Sequence, residues 1–387
     1  MSFFLLPEVH SNIDKINIIS DPSHNLHISL TLSDYLNKVK EQIDNNFDNW
    51  DFIKKYTNPY EFIHTIVPST KFSISKLKTL SRSFYKMVEI SKMLNIFDDY
   101  TSKPIKTFHL AEGPGGFIEA TKHIRQESFD TYYGMTLINE DPNVPGWKKS
   151  NVFLENNTNV VIEKGITETG DLLDVENLKY CYNKYNNQIE VITADGGFDF
   201  SIDFNKQELL ATNLLYAEVC FALAMQKDKG HFILKIFDLF TKCSIDLIYI
   251  LSTFYKQVFI VKPNSSRLAN SEKYIVCKYF KRPPNYSIFM NDVISKFHLV
   301  KTIPYISCLL DYPIDYYFKN KIEEYNAIFG QHQIENIVST LGLISCKNKT
   351  DKLENYKKNN IQKCVWWCEK YNIPCNKNIS QTNIFIN

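Results

Sequence analysis

Between residues 80 and 280 short apolar runs recur along the chain, at 107–111, 131–135, 160–162, 190–194, 231–234, 258–261 and 274–277. Each is short enough to be a strand, and most are rich in β-branched or aromatic residues. Helical periodicity fills several of the gaps, most clearly at 207–226 and 243–255. Strands alternating with helices predict an α/β fold, with a parallel, doubly wound sheet covered by helices on both faces.

The flanks read differently. Residues 1–80 are mixed, with a polar helical stretch from Ser33 to about Phe47. Asn58, Pro59 and Glu61 have the order of a helix start: a capping amide, a proline in the first position and an acid in the first turn. Lys281, Arg282, Pro283 and Pro284 mark a boundary, after which 281–387 is mostly helical in period. Ile, Leu and aromatic residues are too frequent there for a free tail. The expected organisation is therefore an N-terminal extension (1–80), a sheet domain (81–280) and a C-terminal helical region (281–387).

With 387 residues, 44% hydrophobic and 22% charged, the chain is long enough and apolar enough for a sizeable core. A wholly disordered chain or a coiled-coil rod is excluded. Lys and Arg number 44 against 43 Asp and Glu, a net charge of +1. That balance does not suit a non-specific polyanion binder, although it allows a local basic groove. The nine cysteines are scattered and odd in number, as expected of free thiols in a reducing compartment. Cys346, Cys364, Cys368 and Cys375 match no zinc-knuckle spacing, and the Trp366–Trp367 pair reads as packing. With no secretory leader and no apolar run of bilayer length, a soluble intracellular protein is expected.

Four segments carry candidate chemistry. In 110–119 an apolar strand runs into Gly113, Pro114, Gly115 and Gly116 and then straight into a helix pattern. Glycines there let backbone approach a ligand at the carboxyl end of a strand. The spacing is not that of a dinucleotide-binding GxGxxG turn. Asp195, followed by Gly196 and Gly197, ends a second strand. Lys235 lies inside the otherwise apolar 231–237, where an unpaired cation would be costly. The polar segment 265–273, with Arg267, Asn270 and Glu272, leads into the last strand. Each also has a plain reading, as tight turn, helix cap, edge-strand lysine or solvated loop. Their order along one sheet is what gives them combined weight.

In that order and spacing the chain resembles the FtsJ/RrmJ-type ribose 2′-O-methyltransferases, and among them the cap-specific mRNA (nucleoside-2′-O-)-methyltransferases of eukaryotes and large DNA viruses. The resemblance rests on AEGPGGF (111–117), ADGGF (194–198), GHFILKIFDLFT (230–241) and SRLANSEKYIVCK (266–278). It is supported by TNPYE (57–61), SRSFYKM (81–87) and IQKCVWWCEKY (361–371). It implies a Rossmann-like methyltransferase sheet with helical extensions at both ends. It also implies S-adenosyl-L-methionine as cofactor and a Lys-Asp-Lys-Glu catalytic tetrad at Lys86, Asp195, Lys235 and Glu272. The cofactor-binding positions would be Ser81, Ala111, Glu112, Gly113, Pro114, Gly115, Gly116, Phe117 and Asp171, with Glu112 standing where relatives often carry a small residue. Substrate contacts would fall on Asn205, Arg267 and Asn270, with Lys54, Lys55 and Tyr56 as candidate groove wall.

The implied reaction moves a methyl group onto a ribose 2′-hydroxyl of RNA, foremost the first transcribed nucleotide of capped mRNA, and requires no metal. Lys235 would accept the hydroxyl proton. For that, Lys86 and desolvation would have to bring its pKa down from the ordinary value of about 10.4. Asp195 would orient Lys235, and Glu272 would hold Lys86. The implied partner is capped RNA, without a membrane, alongside other capping or transcription proteins, in the cytoplasm, a viral factory or virion, or the nucleus. The competing readings are a methyltransferase for the second cap nucleotide or for ribosomal or transfer RNA, and a catalytically inactive RNA-binding subunit. A NAD-dependent dehydrogenase is disfavoured by the glycine spacing.

Overall fold

A computed structural model of the chain describes residues 2–21, 28–101, 103–127, 129–139, 141, 144–197, 206–346 and 349–377. Eight strands form one sheet: β1 (Ser2–Leu5), β2 (Lys106–Leu110), β3 (Thr131–Met135), β4 (Val160–Ile162), β5 (Ile189–Ala194), β6 (Gln226–Ile236), β7 (Tyr255–Lys262) and β8 (Lys273–Phe280). Their order is β1-β7-β8-β6-β5-β2-β3-β4. The helices in the first half are α1 (Leu30–Asp44), α2 (Phe47–Thr57), α3 (Ser83–Met93), α4 (Gly116–Arg125), α5 (Asn151–Glu155) and α6 (Val175–Tyr185). Those in the second are α7 (Gln207–Leu210), α8 (Thr212–Met225), α9 (Lys242–Phe254), α10 (Tyr286–Lys296), α11 (Tyr316–Ile344) and α12 (Lys349–Lys370).

All seven strands read from apolar runs are present. The expectation of a parallel sheet holds for half of it. The pairs β2–β3, β3–β4, β2–β5 and β5–β6 are parallel. The pairs β6–β8, β7–β8 and β1–β7 are antiparallel. The connection 263–272 between β7 and β8 is shorter than a crossover requires, so β8 turns back and inserts between β7 and β6. The edge strand β1 is only four residues long and had no legible period.

Asn58 does not start a helix. It is the C-cap of α2, its Nδ2 donating to Lys54 O at 2.6 Å. Its Oδ1 accepts the Leu268 amide at 3.0 Å. Turn residues lead from there into a single 3₁₀ turn at Glu61–Ile63.

The two extensions meet around α2. The Thr57 and Thr340 hydroxyls lie 2.7 Å apart, Asn336 of α11 donates to Thr57 O at 2.8 Å, and Asn360 of α12 donates to Tyr56 O at 2.7 Å. Trp367 is fully buried, whereas Trp366 is about half exposed. All nine cysteines are free. Among the described residues no helix is long and apolar enough to cross a membrane.

The sheet register fixes where the site can be. Leu110 lies opposite Ala194, Ala194 opposite Leu234, and Leu234 opposite Ile275. One row across four strands therefore aligns the residues just beyond it, Ala111, Asp195, Lys235 and Tyr274, at one edge.

Candidate active site

Four distant side chains meet at that edge as two linked pairs. Lys86, buried on α3, donates to Glu272 Oε2 at 2.7 Å. Lys235 of β6 donates to the backbone carbonyl of Asp195 at 2.8 Å, with Asp195 Oδ1 at 3.5 Å. Tyr274 of β8 joins the pairs. Its hydroxyl donates to Asp195 Oδ1 at 2.8 Å, and the Lys86 ammonium stands 6.0 Å from its ring centre. Ser266 donates to Glu272 Oε1 at 2.6 Å, so both oxygens of that carboxylate are held.

The electrostatics depart from the expected base. Burial by itself would lower the Lys235 pKa, but Asp195, Glu272 and Glu218 outweigh it and hold the ammonium above its ordinary value. Lys86, expected to lower it, is instead bound to Glu272. Burial likewise opposes ionisation of Glu272, but Lys86, Lys235 and Lys262 keep it well below the usual carboxylate range. Lys262 behaves oppositely. Burial and the charge of Lys273 bring it down to about 7, while its ammonium donates to the carbonyls of Asn270 and Glu272, each at 2.6 Å.

Beside the tetrad lies the glycine turn. Gly115 has φ +110°, a conformation that L side chains rarely adopt, and Ala111 has φ +50°. A Cβ on Gly116 would stand 2.1 Å from Ser81 Oγ, so Ser81 touches the turn. Glu112 points inward. Its Oε1 accepts the Phe117 and Ile118 amides at 2.8 and 3.0 Å and closes the N-terminus of α4. Burial, with Asp195 adding to it, pushes this carboxyl up to about 8. Phe117 stacks on Tyr274, which ties the turn to the tetrad. On the outer side Asp171 pairs with Lys301 at 2.8 Å. Its neighbour Gly170 packs on the end of β3, where a Cβ would meet Thr136 O at 2.0 Å.

Of the candidate substrate residues, Arg267 is committed to a two-point ion pair with buried Glu61, Nε to Oε2 at 3.0 Å and Nη2 to Oε1 at 2.6 Å. Asn270 is exposed beside it. Asn205 lies outside the described residues. Lys54 is paired with Asp51, and Tyr56 is buried, which leaves it unavailable as groove wall. Sequence reasoning missed Tyr274, Glu61, Lys262 and Arg82, whose Nη2 donates to Ser265 O at 3.0 Å. Arg82 sits inside the 81–87 motif and Tyr274 inside 266–278, so both were visible by position but carried no sign of their role.

A glycine turn at the end of β2, an acid at the end of β5 and ionisable residues on the next two strands define an α/β methyltransferase of the S-adenosylmethionine-dependent class. The FtsJ-like methyltransferase model matches residues 79–280, and the chain belongs to that family. Cap-specific mRNA (nucleoside-2′-O-)-methyltransferase 2 of Pongo abelii is 26% identical over 366 residues, covering 92% of this chain and 46% of that protein. Methyltransferase 1 of Dictyostelium discoideum is 30% identical over 313 residues (74% and 39%). Methyltransferase 1 of Homo sapiens is 32% identical over 241 residues (58% and 27%). The chain thus spans less than half the length of these relatives. Human methyltransferase-like protein 13 in complex with SAH aligns over 61% of this chain and 96% of that one, at TM-score 0.36 and 9% identity, too distant a likeness to argue from.

Proposed function

We propose that this chain transfers a methyl group from S-adenosylmethionine to a ribose 2′-hydroxyl at the capped 5′ end of mRNA, foremost on the first transcribed nucleotide. The observation that carries this reading is the convergence of Lys86–Glu272 and Lys235–Asp195 through Tyr274, directly beside the glycine turn. The relatives named for cap-specific mRNA 2′-O-methylation support the substrate.

The residues present fit a cationic cofactor. Asp195 Oδ2 takes no hydrogen bond among the described residues, which leaves a carboxylate oxygen for a positive centre. Ala111 to Phe117, with Ser81 against Gly116, would hold the methionine end, and Asp171 the adenine side. When bound, the cofactor supplies an electrophilic methyl group on a sulfonium.

The protein's part is positioning and proton handling. Glu272 holds Lys86, and both are aimed at the ribose. Lys235, kept as an ammonium by its carboxylate neighbours, donates a hydrogen bond that orients the hydroxyl oxygen. Once it has given up one of its own protons, its Nζ is the atom assigned to receive the hydroxyl proton. Arg267 acts through its grip on Glu61, which fixes the loop carrying Asn270. Asn270 and Asn205 would contact RNA.

The test is transfer of labelled methyl onto capped and uncapped short RNAs, with mapping of the modified nucleotide. Methyl on a 2′-oxygen next to the cap is expected. Lys235→Ala is expected to abolish transfer while cofactor binding, read by calorimetry, persists. Undiminished turnover in that variant refutes the assignment. Label on an internal position of uncapped RNA would redirect the function to ribosomal or transfer RNA.

A further inference from the structure

A fifth ionisable group sits behind the tetrad. Glu218, the only charged residue of α8, is fully buried, and neither of its carboxyl oxygens completes a hydrogen bond among the described residues. It lies directly behind the turn that carries Asp195. A Cβ on Gly196 would stand 2.2 Å from Glu218 Oε1, and a Cβ on Gly197 would stand 3.1 Å from Lys235 Nζ. Two adjacent glycines thus leave no side chain between a buried carboxyl and the candidate catalytic lysine.

From the elements packed on α8, the charged groups that act on Glu218 are Lys235 of β6 and Asp195 at the end of β5. Burial pushes Glu218 up to about 8, with Lys235 opposing the rise and Asp195 adding to it. The Gly196 amide is close enough to favour the ionised form slightly. Lys235 in turn is held as an ammonium by Asp195, Glu272 and Glu218. Glu272 is paired to Lys86 and stays ionised. Of the three carboxyl groups that hold Lys235 as an ammonium, Glu218 is the one pushed up to about 8.

We propose that Glu218 is a positioning residue for methyl transfer, storing the proton that Lys235 gives up before it accepts one from the ribose hydroxyl. This rests on the reading of Lys235 as the proton acceptor. One N–H bond of Lys235 breaks and an O–H bond forms on Glu218. The neutral amine then takes the hydroxyl proton as the ribose oxygen gains the methyl group, and the electron pair of the broken S–C bond stays on sulfur. The pair ends with one more proton than it began with, and that proton leaves to solvent.

The sign of the pH dependence follows. Well below pH 8 both groups are protonated and Lys235 cannot accept a proton. Above about 8 Glu218 is ionised and can take up the proton that Lys235 gives up. Turnover is therefore expected to rise through that pH.

The experiment is Glu218→Gln in the full chain, with two readouts. In the pH profile of kcat, the inflection near 8 should vanish, and turnover at neutral pH should drop by about 10-fold or more, the low end of what proton transfer contributes. By infrared spectroscopy without RNA, the wild type should show a protonated-carboxyl band that titrates near 8 and, in the difference spectrum against E218Q, which keeps the Glu112 band, a component that belongs to Glu218. An unchanged pH profile in E218Q, or no such component in the difference spectrum, overturns the proposal. Should E218Q fail to fold, Lys235→Met serves instead. Removing the cation should move the titration of the band upward, and an unmoved midpoint overturns the coupling. If the wild type methylates no RNA at all, the proposed function fails, while the infrared titration still decides the Glu218–Lys235 pair.

Discussion

Tyr274 donates its hydroxyl to Asp195 Oδ1 at 2.8 Å while its ring stacks on Phe117, with centroids 6.1 Å apart and planes inclined by 29°. One side chain thus spans the glycine turn, the acid at the end of β5 and the strand that follows Glu272. Burial, together with the carboxylates of Asp195 and Glu272, drives the phenol pKa well above its ordinary value, so Tyr274 remains a donor across the physiological range. The hydrogen bond holds the Asp195 carboxylate in one orientation, with Oδ1 toward Lys235 and Oδ2 left open.

Tyr274→Phe keeps the stack and deletes the hydrogen bond. A net loss of about 1 kcal/mol in positioning is expected, or roughly five-fold in kcat, with little change in cofactor affinity. Steady-state kinetics with calorimetric binding of the cofactor checks this. An unaltered kcat would mean that Lys235 alone orients Asp195.

The Glu61–Arg267 pair should make stability pH-dependent. Burial opposes ionisation of Glu61, but Arg267 dominates and holds it at about 2. A depressed carboxyl pKa stabilises the fold above the unfolded value of about 4.5, and that contribution is lost as pH falls toward 2. The full shift corresponds to about 3 kcal/mol. Thermal unfolding across that window should show a fall in melting temperature for the wild type and a shallower one for Glu61→Gln.

Arg267→Ala leaves the Glu61 carboxylate buried without its cation, a change that typically costs about 3 kcal/mol or more. Urea unfolding should report a lowered midpoint. RNA affinity should fall with it, because Leu268 to Asn270 lose one of their two anchors to the 57–61 segment, keeping only the Leu268 amide on Asn58.

At Gly196 an added methyl group would strike Glu218 Oε1, and would stand 3.0 Å from both the Ala111 Cβ and a Leu214 methyl. Gly196→Ala is therefore expected to destabilise the protein by about 1–3 kcal/mol and to displace Asp195, lowering kcat. Calorimetry and kinetics measured on the same preparation test both effects.

Trp367 of α12 donates to Glu89 Oε2 at 3.2 Å, and the Glu89 carboxylate accepts the Asn264 and Ser265 amides at 2.9 and 3.0 Å. The C-terminal helix thereby braces the loop that carries Arg267 and Glu272. Trp367→Phe should cost about 1 kcal/mol of stability by removing one of the donors to buried Glu89, and should raise KM for RNA more than it lowers kcat.

The central strands were legible because a strand buried on both faces must be largely apolar, as 191–194 is after the ion-paired Glu190. Strand direction was not legible, since an apolar run is the same read up or down, and β8 reversed the expectation through the short connection before it. The 58–61 segment misled because a helix start and a helix end can use the same residue types. Glu218 left only a faint sign, a lone acid in the otherwise apolar 212–225. The sequence could not reveal that its carboxyl is wedged behind Gly196.

The glycine turn and the α/β class were legible from spacing and residue type, and the candidate positions 86, 195, 235 and 272 from the resemblance of the motifs that carry them. The charge on Lys235 was decided only in three dimensions. Coulomb energy depends on distance, and the carboxylates that outweigh its burial come from residues 195, 218 and 272, which only the folded sheet brings near it.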